Sequence, residues 1–129
     1  MKRSGKKIYS YVHFEKELTP KYHKEIKLKK EPIEVGDVFI DTTFKLLQKI
    51  DESVTEKDRR RIIFAPEDEK KWRFDKELQE HFQERFENSD LDAIIGRFAD
   101  EAFKWYEHLR KNDENLDYFN SQGDRVNGS

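Results

Sequence analysis

Residues 8–64 read as β-rich and residues 67–111 as two helices. The sequence therefore predicts an α+β fold, with a small antiparallel sheet packed against a C-terminal antiparallel helical hairpin. Three observations carry this expectation. Short apolar/polar alternation recurs before residue 65. The period changes to four after Pro66, with Phe74, Leu78, Phe82 and Phe86 in one row. A long apolar stripe then runs from Leu91 to Leu109.

Taken in order, residues 1–7 form a flexible basic tail ahead of a single domain spanning 8–119. "IYSYVHF" (8–14) alternates as a strand does, with Tyr9, Tyr11 and His13 on one face. Residues 15–24 carry Pro20 and many charges and read as a loop. "EIKLKK" (25–30) places Ile26 and Leu28 on one strand face and lysines on the other, and Pro32 interrupts pairing. "IEVGDVFID" (33–41) is a further β-rich run bent at Gly36–Asp37. Residues 42–54 fit a strand burying Phe44, Leu46 and Ile50. They also fit a helix capped at Thr42 or Thr43; the β-rich neighbours favour the strand. "RRRIIFA" (59–65) reads as a strand with Ile62 and Phe64 inward.

The first predicted helix covers 67–87. Pro66 precedes it, and Glu67, Asp68 and Glu69 suit the positive end of a helix dipole. "NSDLD" restarts the chain as a second helix with Ser89 as cap and Asp92 three residues on. Its apolar face gathers Leu91, Ile94, Ile95, Phe98, Ala99, Ala102, Trp105, Tyr106 and Leu109. Burying that face would gain on the order of 15–25 kcal/mol. Ordering the helix costs a comparable amount, so it needs a cover. Residues 120–129 are expected to be a disordered tail.

Composition narrows the function. The chain has 129 residues, 42% charged and 13% aromatic, and no cysteine, which excludes disulfides and thiolate zinc sites. No apolar run approaches the ~20 residues of a membrane helix, and the basic N-terminus lacks the core of a signal peptide. A cytoplasmic protein without membrane association is expected. Residues 1–30 hold ten Lys/Arg against three Glu, a net +7, and the rest carries −9. A basic head thus sits on an acidic body.

No catalytic residue, cofactor or metal site stands out. The histidines at 13, 23, 81 and 108 make no HExxH pair. Glu77 and His81 stand four apart, yet a Glu-rich helix is more simply a solvated one. The glycines build no phosphate loop, and no GxSxG elbow occurs. Binding is the favoured reading, with a small enzyme or metal-binding protein as the least favoured alternative. A non-catalytic accessory or inhibitor-type protein, of the kind bacteria or their mobile elements carry, would dock on another protein through an acidic, aromatic-bearing helical surface. Trp72, Glu101, Phe103 and Trp105 are its candidate contacts. The alternative partner is nucleic acid, held by Lys6, Lys7, Lys29, Lys30 and Arg59, Arg60 and Arg61, with bases stacked on Tyr9 and Tyr11.

Overall fold

The computed structural model describes residues 9–122, with side chains as far as 111. The basic tail 1–7 and residues 123–129 lie outside the described residues. The chain runs α1 (Val12–Leu28), α2 (Pro32–Ile50), α3 (Glu56–Arg59), β1 (Ile62–Phe64), β2 (Trp72–Phe74), α4 (Lys76–Asn88) and α5 (Leu91–Gln122). The two strands form one antiparallel hairpin, with Ile62 opposite Phe74 and Phe64 opposite Trp72. No described helix is long and apolar enough to cross a membrane.

The expected β-rich N-terminal half is corrected by this architecture: the fold is mostly helical, with one tiny sheet in the middle. In α1, Phe14, Leu18, Tyr22 and Ile26 recur every four residues. Tyr22 and Ile26 are buried, while Phe14 and Leu18 pack against the core from its edge. This row outweighs the local alternation of residues 8–14. Pro20 lies inside the helix on its exposed side, where it removes one N–H. Beside it, the Thr19 hydroxyl donates to the Glu15 carbonyl at 2.7 Å.

Pro32 opens α2 at its first turn, where a missing N–H costs nothing, instead of interrupting a strand. Val35, Val38, Phe39, Thr42, Thr43, Leu46 and Leu47 then follow at helical spacing and are all buried. Thr42 and Thr43 are thus interior residues, not caps. Among the described residues, the Thr43 hydroxyl finds no hydrogen-bond partner. Gly36 allows a close approach rather than a bend, since a Cβ there would stand 3.0 Å from Phe64 Cδ2. Helix α2 is the centre of the molecule, packed chiefly against α5 and α1 and also against β1.

At its end the Asp51 N–H donates to the Leu47 carbonyl at 2.8 Å. The Asp51 carboxylate accepts from the Ser53 hydroxyl (2.7 Å) and the Ser53 N–H (3.0 Å). His81 (2.8 Å) and Arg85 (3.4 Å) meet its other oxygen from α4. The Ser53 hydrogen bonds hold the carboxyl down to about 2, against opposing burial, with His81 and Arg85 adding to the effect.

The first C-terminal helix starts at Lys76, nine residues later than the pattern suggests. Asp75 is the reason: its carboxylate accepts the Leu78 N–H at 3.0 Å. Before it, Trp72 and Phe74 are buried and Arg73 is exposed, the period of a strand. Phe74 still joins the aromatic row, but from the strand, with ring centroids 6.4 Å from Phe82 and 5.6 Å from Phe86.

Helix α5 buries Leu91, Ile94, Ile95, Phe98, Ala99, Ala102 and Leu109, and continues to Gln122. Its main cover is α2, not a sheet, with α1 and α4 contributing less. The buried Tyr22 hydroxyl of α1 donates to the Phe98 carbonyl. Burial, helped by the charge of Glu101, pushes that phenol well above its usual range.

Candidate protein-binding surface

The α1–α2 turn leaves two large apolar side chains in solvent. Leu28 closes α1 at 67% exposure, and Ile33, in the first turn of α2, is 76% exposed. Behind them Trp105 of α5 is half-buried, and its indole Nε1 donates to the Lys29 carbonyl at 3.2 Å. Its ring stacks on His108 at 4.7 Å between centroids. The turn is therefore fixed to α5 through its backbone while its apolar side chains face out.

Beside the turn lies a groove of about 390 Å³ between α1 and α2. Glu25, Glu34, Asp37 and Asp41 line it with Leu28 and Val38, and Lys29 alone among the described residues adds a cation to its lining. Glu25 pairs loosely with Lys21 at 3.8 Å. Asp41 is held by Arg59 at 2.7 Å and Lys45 at 3.2 Å. Burial alone would raise its carboxyl, but hydrogen bonds and charge from Arg59 and Lys45 bring it below the usual range. Glu34 and Asp37 have no ion pair among the described residues. Adjoining it at Asp37, a second, wider depression of about 650 Å³ is lined by Asp37, Ile40, Arg59 and Arg60.

The structure disperses the aromatic patch expected on the C-terminal helices. Trp72 is 2% exposed, packed on Phe74 and Phe86 with Lys70 over its ring at 4.1 Å. Phe103 is half-buried beneath Lys71, also at 4.1 Å. Glu101 pairs with His23 across α1 and α5. Of the four, Trp105 is the one hydrogen-bonded to the turn, at the Lys29 carbonyl, among the described residues.

Of the residues expected to hold nucleic acid, the tyrosines stand apart from the lysines of the α1–α2 turn. Lys6 and Lys7 lie outside the described residues. Tyr9 is 60% exposed, its N–H bonded to the Asn88 carbonyl at 2.8 Å. Tyr11 is half-buried, stacked on Phe14 with centroids 6.2 Å apart. Lys29 and Lys30 follow the opposite end of α1, roughly 25 Å away at 1.5 Å of rise per residue. Arg59 is committed to Asp41 and lies over Phe44. Arg61 pairs with Glu77 and stands 3.9 Å from Asp75. Arg60 is exposed, with no ion pair among the described residues.

Glu77 and His81 turn to separate partners, Arg61 and Asp51. Among the described residues, no three or more His, Asp or Glu side chains gather as metal ligands would. Ser89 accepts the Leu91 N–H at 3.1 Å and donates to the Arg85 carbonyl, so it serves the α4–α5 junction.

Leu28 and Ile33 escaped the strand reading, which placed Leu28 beside Ile26 on an inner face. The helical period separates them. Leu28 lies 200° around α1 from Ile26, and Ile33 lies 200° around α2 from Val35, at about 100° per residue. That signal was present in the sequence. Comparison of the chain with protein-family models, with curated proteins and with solved structures finds no match in any of the three.

Proposed function

We propose that this chain is a non-catalytic protein-binding protein, an accessory or inhibitor type that docks on a larger partner through the α1–α2 turn. The observation that carries the reading is the pair of exposed apolar side chains, Leu28 and Ile33, beside the half-buried Trp105. Each of the two aliphatic side chains would gain roughly 1.5–3 kcal/mol on complete burial. Aromatic anchors such as Trp105, surrounded by contacts that exclude water, dominate the energetics of many protein interfaces. The surrounding charges, with carboxylates from both helices, supply a polar rim. Tyr9 and Tyr11 lie at the other end of α1 from Lys29 and Lys30, which weakens the support for a nucleic-acid surface that joins them.

The test is a double substitution, Leu28→Ser with Ile33→Ser. Both side chains stand in solvent, so the melting temperature should stay within a few degrees. A partner recovered from native lysate, then purified and titrated directly, should bind the variant at least about tenfold more weakly. Equal affinity for both forms would refute docking at this turn. Nuclease-sensitive recovery would transfer the function to nucleic acid.

A further inference from the structure

We infer that the outward face of α1 is a contact surface for the phosphate backbone of nucleic acid, with Lys16, Lys24 and Lys27 as its cations. This goes beyond docking at the α1–α2 turn and does not rest on it. At about 100° per residue, His13, Lys16, Pro20, His23, Lys24 and Lys27 share roughly 100° of arc, opposite the row that buries Tyr22 and Ile26. All six are exposed. No carboxylate of α1 falls inside that arc. The acids of the helix lie outside it, and each is already taken: Glu15 by Arg97 at 2.8 Å, Glu17 by Lys49 at 3.0 Å and Glu25 by Lys21 at 3.8 Å. Glu101 of α5 comes to the edge of the arc and pairs with His23. Lys16 and Lys24 have no acid three or four residues away, and Lys24 and Lys27 are spaced to repel each other. None of the three lysines has an ion pair among the described residues.

The face gathers charge without an apolar anchor. Tyr22 and Ile26 point into the core, and the exposed Leu28 lies outside the arc. A protein interface draws its energy from buried anchors, and a helix on a membrane surface from an exposed apolar face. A phosphate backbone needs only cations along a track, because neutralising phosphates releases condensed counterions. From Lys16 to Lys27 the track covers about 16 Å of helix. Basic residues continue past both of its ends in the sequence, with Lys2, Arg3, Lys6 and Lys7 before it and Lys29 and Lys30 after it. Tyr9 and Tyr11 are fastened to Asn88 and Asp90 at the start of α1, but the track itself uses neither tyrosine. Elsewhere, exposed lysines without an ion pair among the described residues stand one to a helix: Lys57 on α3, Lys76 on α4 and Lys104 on α5. The arc holds no Arg, Asn or Gln to read base edges, so the contact should be indifferent to base sequence.

Titration of the full chain into labelled duplex DNA, followed by anisotropy at rising salt, tests the assignment. Binding should weaken steeply with salt and be equal for two unrelated sequences. Lys16→Gln, Lys24→Gln and Lys27→Gln, made together, should weaken binding at low salt by at least about tenfold and lower the slope of log affinity against log salt by about 2–3. Since all three side chains stand in solvent, the melting temperature should stay within a few degrees. Lys57→Gln, Lys76→Gln and Lys104→Gln remove the same charge from other helices and should together cost no more than about twofold. An equal loss in both triple variants reduces the effect to net charge and overturns the assignment. Undiminished binding by the α1 variant overturns it too, as does a wild-type chain that leaves the DNA free at low salt. If poly-glutamate competes as well as unlabelled DNA at equal charge, the face belongs to an acidic protein instead and the assignment falls. Leu28→Ser with Ile33→Ser should leave DNA binding intact, so failure of docking at the turn and failure of this contact are read separately.

Discussion

Two tight corners reverse the chain, and they are finished in opposite ways. At the α4–α5 corner Ser89 and Leu91 are fully buried, and the segment before α1 is fastened over the junction. Tyr9 pairs with Ser89 as an isolated parallel bridge. The Asp90 carboxylate accepts the Ser10 hydroxyl at 2.6 Å and the Tyr11 N–H at 2.8 Å. At the α1–α2 corner the backbone is tied down by Trp105, but Leu28 and Ile33 remain in water. Among the described residues, the chain thus covers one corner and leaves the other open. The closed corner shows what covering such a turn requires: backbone hydrogen bonds, a buried apolar residue and a carboxylate. The open one has the apolar residues and the carboxylates without the cover.

Several substitutions would break or sharpen this contrast. The largest effect is expected from Leu91→Ala at the closed corner, where a fully buried side chain should cost about 2–5 kcal/mol in a urea titration. Leu28→Ala at the open corner should change stability by no more than about 0.5 kcal/mol. Similar costs at both positions would mean that the open corner is part of the core.

Next comes the far end of α2, where Asp51 joins that helix to α4. Its folded carboxyl sits at about 2, below the ordinary value near 3.9 in an unfolded chain. The depressed value means stability that is present above about pH 4 and lost as pH falls through about 2. The contribution is on the order of 2 kcal/mol. Asp51→Asn should flatten the acid limb of the stability curve across that window. An unchanged acid limb would show that the Ser53, His81 and Arg85 contacts do not favour the carboxylate.

A smaller effect is expected where Asp90 and Asp75 each begin a helix. Asp75 caps its own helix, α4, through Leu78, whereas Asp90 also holds the start of α1 nearly eighty residues away. Each change to Ala should cost about 1 kcal/mol. Hydrogen exchange should separate them: Asp90→Ala should speed exchange at Tyr11 and the first turn of α1, and Asp75→Ala within α4 only. The smallest effect concerns glycine. No atom of the described residues stands within 4 Å of a Cβ at Gly96, so Gly96→Ala should stabilise α5 by about 0.5–1 kcal/mol. Gly36→Ala should gain less or lose, because the Phe64 ring must give way.

The same distinction between local and distant causes explains what could be read from the sequence. The stripe of α5 was legible because it is long and keeps one period from Leu91 to Leu109. The β1 strand was legible from its apolar run between charged and proline-bearing flanks. The N-terminal half was not. Pro20, Pro32 and Gly36 each resemble a breaker, yet one lies on an exposed helix face, one starts a helix and one admits Phe64. The start of α1 depends on Asp90, a residue no local window contains. Two rows with the same four-residue spacing also have different backbones: Phe14 to Ile26 is all helix, whereas Phe74 to Phe86 begins in a strand. The capping Asp75 marks that boundary, and spacing does not. For the site, Trp105 and Lys29 were visible as separate candidates for different partners. Their meeting at one turn, and the exposure of Leu28 and Ile33 there, follow only once α1 and α2 are helices.

Hydrogen exchange of the chain, alone and saturated with its purified partner, addresses the docking surface directly. Slower exchange is predicted across residues 26–38, at the α1–α2 corner and the first turns of α2, with residues 76–88 of α4 unchanged. Protection over α4 with none at residues 26–38 would contradict the account.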